Sequence, residues 1–164
     1  MPKPKSAKYA SMLLRLWHAS IAGGFLVAYL TADEDTYAIH LFSGYVVLAA
    51  VILRILVGLI APRDSMWRLP RPSLAGTLVW LRQHRGRNPL FAWIAAALLA
   101  LIGAAAASGA IADQFTWMEH IHEALANASL WAVYAHIAVV VVLYNGRRLA
   151  DWIKHLLSAK ETAR

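Results

Sequence analysis

The stretch IHEALANASLWAVYAHIAVVVVLY, residues 121–144, decides how this chain folds. It has no charged residue after Glu123 and is long enough to cross a bilayer as one helix. His122 and His136 lie fourteen residues apart in it, which is close to four helical turns. The two imidazoles therefore share nearly one face, about 21 Å apart along the axis. Because an imidazole within a bilayer is costly and marks function by default, this spacing predicts two stacked sites.

The composition of the whole chain indicates a membrane protein. Of its 164 residues, 60% are hydrophobic and the mean hydropathy is +0.51, which exceeds that of an ordinary soluble domain. Four apolar runs are long enough to span a bilayer: residues 12–30, 39–60, 89–111 and 121–144. There is no cysteine, which excludes disulfides, thiolate-bound clusters and covalently attached c-type haem. We expect an all-α integral membrane four-helix bundle that forms a single domain, residues 1–164.

Local signals set the ends of these predicted helices. Asn88 is a suitable N-cap for the third run, with Pro89 at its first helical position. The pair Asn145-Gly146 predicts the end of the fourth run. Beyond it, residues 147–158 alternate apolar and charged side chains and predict a separate interfacial helix.

The positions of the sixteen Lys and Arg residues indicate the topology. All of them lie in the N-terminal part up to Arg15, between Arg54 and Arg87, or from Arg147 onward. The positive-inside rule therefore places both termini and the middle loop in the cytoplasm. The net charge of +7 is explained by this topology, so nucleic-acid binding is not required. A cleavable signal peptide is disfavoured, because Arg15 would interrupt its apolar region.

The predicted topology sorts the histidines by depth. The first span places His18 near the cytoplasmic side, and the second places His40 at its periplasmic beginning. His40 and His122 therefore share one level, while His18 and His136 share the other. Two pairs at two depths are what two bis-histidine sites in a four-helix bundle require. The other histidines are interpreted as solvent-facing or headgroup-facing residues: His84, His120 and His155.

Four further residues are candidates for cofactor contact: Gly44, Ser129, Arg15 and Arg54. Gly44 lies one turn after His40, where a side chain would obstruct a bulky planar ligand, and Ser129 lies midway between the two histidines of the fourth span. Close helix contact explains small residues equally well, and we apply that interpretation to Gly103, Ala107 and Gly109.

Two arginines share the predicted cytoplasmic level. Arg15 and Arg54 could each bind the carboxylates of a haem or extend to the membrane surface. The sequence leaves both roles open.

Paired imidazoles favour haem over zinc, since zinc sites usually gather three or four ligands at one point. A pair of neutral imidazoles from opposite helices holds a six-coordinate haem b, which transfers electrons and has no open position for oxygen. Two haems stacked across the bilayer would connect its two surfaces.

The chain resembles the prokaryotic cytochrome b561 family, which includes the cytochrome b subunits of hydrogenase-type complexes. The resemblance is carried by four elements: Arg15-Leu16-Trp17-His18, Ile39-His40 with Gly44 and Arg54, Ile121-His122-Glu123-Ala124-Leu125-Ala126-Asn127, and His136. It implies two haem b groups held by His18, His40, His122 and His136. It also implies a bacterial inner-membrane location and quinone as the membrane-side redox partner.

The leading hypothesis is electron transfer between the quinone pool and a periplasmic redox protein such as a cytochrome c. The alternative is a superoxide oxidase that reduces ubiquinone, although the predicted periplasmic connections lack the Lys or Arg that would attract an anion. A non-redox scaffold or transporter is the third class. Acidic residues in the outer connections, among them Asp113 and Glu119, could attract a basic partner or be ordinary solvated groups. The sequence leaves enzymatic activity and oligomeric state open, a homo-oligomer included.

Overall fold

The computed structural model describes residues 5–83 and 88–162, which are helical wherever they have regular structure. Five α-helices follow one another: α1 (Lys5–Leu30), α2 (Tyr37–Ile60), α3 (Leu74–Gln83), α4 (Leu90–Ala112) and α5 (Glu119–Thr162). Short 3-10 helices, Glu34–Thr36 and Thr116–Met118, precede α2 and α5. The prediction of an all-α chain is confirmed. The chain forms two compact units, residues 1–129 and residues 130–164.

Four helical segments are long and apolar enough to cross a membrane: Lys8–Leu30, Glu34–Ile60, Leu90–Ala112 and Thr116–Val142. They correspond to the four predicted apolar runs, so the prediction of four helices long and apolar enough to span is confirmed. Their surfaces carry large apolar side chains that are exposed on the isolated chain, such as Phe42 at 73% and Ile60 at 83%. Such surfaces are expected where hydrocarbon is the solvent, because apolar side chains there have no water to avoid.

The interior of the first unit is built from small and β-branched side chains. Helix α2 packs against α1 on one side and α4 on the other. The buried residues of α2 and α4 recur at helical spacing: Ser43, Val47, Val51 and Gly58 on α2, with Ile102, Ala105 and Ser108 on α4. Small residues at a helix interface let the backbones approach closely, which is the main source of helix association in lipid.

The start of α4 agrees with its sequence signal. The Leu90 amide N–H donates a hydrogen bond of 2.9 Å to Asn88 Oδ1. Pro89 has helical dihedral angles, φ −72° and ψ −19°. The prediction that Asn88 caps this helix and Pro89 opens it is confirmed.

The end of the fourth span differs from the prediction. Helix α5 continues through Asn145-Gly146 as far as Thr162, so the predicted end at Asn145-Gly146 and the separate helix at 147–158 are wrong. A helix-ending glycine adopts a left-handed conformation, and Gly146 does not have one. One glycine within a helix costs only about 1 kcal/mol, which the helix-forming residues on either side of it offset.

The middle loop contains a helix that sequence analysis did not predict. Helix α3 begins after Ser73, whose Oγ accepts a 3.2 Å hydrogen bond from the Gly76 N–H. Trp93 on α4 donates its Nε1–H to Thr77 Oγ1 at 3.1 Å, which attaches α3 to the beginning of α4. The serine N-cap was the available signal for this helix.

Arg54 organises the loop that follows α2. Its guanidinium donates to the carbonyl oxygens of Trp67 (2.7 Å) and Arg68 (3.3 Å). Arg68 in turn donates to the Ala61 carbonyl at 3.2 Å, and the Trp67 ring lies 6.2 Å from that of Trp17 on α1. Through these bonds Arg54, a charged residue of the second span, has backbone carbonyls as partners within the protein. Such partners lower the free-energy cost of placing a charged side chain in a span.

Gly58→Ala should loosen this loop. An added Cβ would lie 2.5 Å from Leu69 Cγ and 2.8 Å from Arg54 Nη1, so either the loop or the arginine must move. We expect a loss of about 1–3 kcal/mol in the free energy of unfolding, measured in detergent. Gly23→Ala is the matched control, since nothing lies within 4 Å of its added Cβ. Equal stability of the two variants would contradict this packing.

Candidate functional site

The first unit contains a cavity of about 530 Å³ that is lined by His40 and His122. This volume lies within the range of about 300–1,000 Å³ that is typical of cofactor and small-molecule sites. Helices α1, α2 and α4 and the beginning of α5 all contribute to its wall. Much of that wall consists of residues with little or no side chain, including Ala28, Gly44, Ala105, Ala106, Gly109 and Ala126. Small residues therefore create the space, and two imidazoles project beside it.

The two imidazoles face each other. Their ring centroids are 5.9 Å apart, with an angle of 73° between the ring planes. The sequence analysis placed His40 and His122 at one level, and the structure brings these two rings together.

Backbone carbonyls fix the tautomer of both rings. His40 Nδ1–H donates to the Ala28 carbonyl at 2.7 Å, and His122 Nδ1–H donates to the Ala105 carbonyl at 2.9 Å. Since a carbonyl oxygen only accepts, Nδ1 must carry a proton in each ring, and in the neutral form of the ring Nε2 then has the lone pair. Metal-binding histidines commonly have this arrangement. Both residues are therefore held in the form that can bind a metal through Nε2.

The local chain explains why each carbonyl is accessible. Ala28 lies in the last turn of α1, where carbonyl groups lack a full set of helical partners. Ala105 lies within α4, but the residue four positions later is Gly109. A Cβ on Gly109 would lie 2.8 Å from His122 Cε1, so only glycine leaves room for the ring at this point. Close helix contact, the interpretation that the sequence favours for Gly109, does not describe this role, which is to leave room for the His122 ring.

Two other contacts define the space beside the rings. Tyr37 stacks on His40, with centroids 5.9 Å apart and planes inclined by 15°. Gly44 lines the cavity, and an added Cβ there would meet nothing within 4 Å. A side chain at position 44 would therefore enter open space that belongs to the cavity, and the contact of Gly44 with a ligand stays a prediction.

One part of the cavity wall is polar and acidic. Tyr29 on α1 donates to Asn127 Oδ1 at 2.9 Å, and Tyr45 on α2 donates to Asp113 Oδ2 at 3.1 Å. The wall also includes two more carboxylates, those of Glu119 and Glu123. None of the described residues that line the cavity is Lys or Arg. The site thus combines an apolar interior with a wall section of negative charge.

Sequence reasoning did not identify Tyr29, Tyr45 or the two carbonyl acceptors as site residues. The hydrogen-bonded pairs join residues 98 and 68 positions apart, and no local spacing indicates such pairs. Asn127 was noticed only as part of the family-like motif.

The other two predicted ligands are not among the residues that line this cavity. His18 is an exposed residue of α1, and His136 is a half-buried residue of α5 in the second unit. Their pairing stays a prediction, since they belong to different units. His120 is exposed and does not line the cavity. His84 lies outside the described residues, and so does the side chain of His155.

The remaining candidate contacts have varied surroundings. Ser129 is fully buried and donates to the Leu125 carbonyl at 2.7 Å, and it does not line the cavity. Arg54 binds the loop carbonyls described above, a role that the sequence analysis did not consider. Arg15 is exposed on α1.

Comparison with known proteins adds no relative to this picture. No protein-family model, curated protein or solved structure matches the chain. Functional assignment therefore depends on the geometry of the cavity and on the pattern of residues around it.

Tyr45→Phe should destabilise the first unit by about 1 kcal/mol, because it removes one hydrogen bond between α2 and the end of α4. The free energy of unfolding in detergent measures this loss. Tyr9→Phe is the control, since Tyr9 is 64% exposed, and we expect it to match the wild type. If Tyr45→Phe has the same effect in the presence and absence of Asp113→Ala, the bond contributes nothing and the prediction is wrong.

Proposed function

We propose that this chain is a membrane cytochrome b that transfers electrons through two b-type haems. Its redox partners would be the quinone pool and a periplasmic protein such as a cytochrome c. The observation that supports this most strongly is the facing pair His40 and His122, each with Nδ1 bound to a carbonyl, beside a cavity of cofactor size.

The distances and the cavity fit this cofactor. His40 and His122 would hold the haem iron, each through Nε2, and two imidazoles that share one metal ion at about 2 Å each must have their rings within several ångströms of each other. The observed separation is 5.9 Å. The cavity beside the two rings is bounded by small residues. At Gly44 nothing lies within 4 Å of the position that a Cβ would occupy. A haem held in this way supplies one-electron transfer.

The protein's own groups prepare the site. The carbonyl oxygens of Ala28 and Ala105 each accept a hydrogen bond from a histidine Nδ1–H. These bonds orient the two rings and increase the basicity of Nε2. Gly109 lets the His122 ring reach its carbonyl. The many small apolar residues of the wall surround the two rings with a largely apolar environment, and such an environment is one of the means by which a protein sets a reduction potential.

The second haem and the orientation follow from the sequence pattern. His18 and His136 are proposed as its ligands on the basis of their predicted depth. The distribution of Lys and Arg supports cytoplasmic termini in a bacterial inner membrane, with His40 and His122 toward the periplasm. In that orientation the acidic part of the cavity wall belongs to the periplasmic end.

Superoxide oxidation is the less favoured alternative. Superoxide is an anion, and an enzyme that uses it benefits from a positive field near the site. Asp113, Glu119 and Glu123 line this cavity, while none of the described lining residues is Lys or Arg. A neutral or cationic redox partner suits this surface better.

The purified protein should show the spectrum of a b-type cytochrome after reduction with dithionite, with two haems per chain. His40→Ala should retain one haem, because the other pair of ligands is unchanged. Absorbance spectra and a haem-to-protein ratio measure both results. A colourless wild-type protein would exclude the redox proposal and favour a scaffold or transporter.

Gly44→Leu should remove the haem held by His40 and His122 without unfolding the protein. The added side chain has open space, because nothing lies within 4 Å of the Cβ position, yet that space belongs to the cavity. We expect one haem per chain and unchanged thermal stability of the haem-free protein. Gly23→Leu is the control, since its Cβ is equally free but does not line the cavity. Two haems in Gly44→Leu would show that the ligand does not occupy this space.

A further inference from the structure

The cavity presents an electrostatic problem for the proposed ligand. Haem b carries two propionate carboxylates, whereas the cavity wall already has the three carboxylates of Asp113, Glu119 and Glu123. No Lys or Arg is found among the described residues of the wall. A carboxylate that enters a partly apolar site needs hydrogen-bond donors if it is to remain charged. The donors must therefore be neutral groups, either side chains or backbone N–H groups.

Most of the neutral donors of the wall are already engaged. The Nδ1–H groups of His40 and His122 bond to carbonyls. The Tyr29 hydroxyl donates to Asn127, and the Tyr45 hydroxyl donates to Asp113.

Among the side chains of the described wall, two donor groups remain: the Asn127 amide nitrogen and the Tyr37 hydroxyl. The Asn127 oxygen accepts the hydrogen bond from Tyr29, so the amide nitrogen on the other side keeps its two N–H groups for the cavity. The Tyr29 bond thus determines which side of the Asn127 amide is available. The Tyr37 hydroxyl has no comparable hydrogen bond to a described residue, although its ring stacks on His40.

We infer that the Asn127 amide, oriented by Tyr29, is a carboxylate-binding group of this cavity and receives a propionate of the haem held by His40 and His122. This inference rests on the proposed function. In this inference a neutral amide binds a haem carboxylate at the level of His40 and His122. At the predicted cytoplasmic level, Arg15 and Arg54 are the candidates for the same role. Asn127 binds the cofactor, and Tyr29 acts as its positioning residue.

Asn127→Asp tests this role with the smallest change of shape. The new side chain can still accept the Tyr29 hydrogen bond, but it replaces both N–H donors with an acceptor that carries a negative charge. We expect this haem to transfer to an excess of haem-free globin about tenfold faster than in the wild type, as after loss of one charge-assisted hydrogen bond. Its reduction potential should fall, because added negative charge stabilises the ferric state. The second haem should be unchanged and serves as the internal reference.

Two variants complete the experiment. Tyr29→Phe leaves the Asn127 amide in place but frees its orientation, and we expect a smaller acceleration of about threefold. Asn145→Asp introduces the same chemical change at an exposed residue that does not line the cavity, and it should behave as the wild type.

The outcomes separate this inference from the proposed function. If the wild-type protein contains no haem, both the proposed function and the inference about Asn127 are wrong. A wild-type protein with two haems and an Asn127→Asp variant with unchanged transfer rate and potential overturns only the inference, and acceleration in Tyr37→Phe alone would assign the role to Tyr37. If Asn127→Asp loses both haems because it misfolds, Tyr29→Phe decides: a rate equal to that of the wild type overturns the inference.

Discussion

The two hydrogen bonds from imidazole Nδ1–H to backbone carbonyl are the contacts on which the rest of this site depends. Ala28 accepts from His40, and Ala105 accepts from His122. Each bond joins two helices and at the same time fixes the tautomer of its histidine. An unpaired polar group within a bilayer costs several kcal/mol, so these bonds satisfy the N–H group as well as orienting the ring. In the neutral form of each ring, Nε2 then has the lone pair that a metal requires.

The surrounding sequence is consistent with this constraint. The His122 ring can reach a carbonyl in the middle of α4 only because position 109 lacks a side chain. The His40 ring uses a carbonyl at the end of α1, where the helix no longer supplies all partners. Small residues around both rings keep the cavity open, while Tyr29 and Tyr45 connect helices across its polar part. The same residue types that permit close helix packing therefore also leave a space of cofactor size.

Arg54 shows how a single charged group in a span can be accommodated. Its side chain binds two carbonyls of the following loop, and Gly58 leaves space for that loop to approach α2. Sequence reasoning considered a haem carboxylate or the membrane surface as its partner, because both are common solutions for arginine near a membrane interface. Backbone carbonyls 13 and 14 positions later offer a third solution within the protein. The choice depends on how the loop folds, and local spacing does not contain that information.

The sequence by itself determined the four apolar spans, the Asn88 cap and the common level of His40 and His122, because length, capping and axial rise are local properties of a helix. It did not determine the end of α5: Asn145-Gly146 is compatible with either a stop or a continuous helix, and the flanking residues continue it. Only the tertiary structure decided which carbonyls hold the histidines, why Gly109 lacks a side chain, and that Tyr29 orients Asn127. These contacts join distant parts of the chain, and their partners are chosen by the packing of helices against one another.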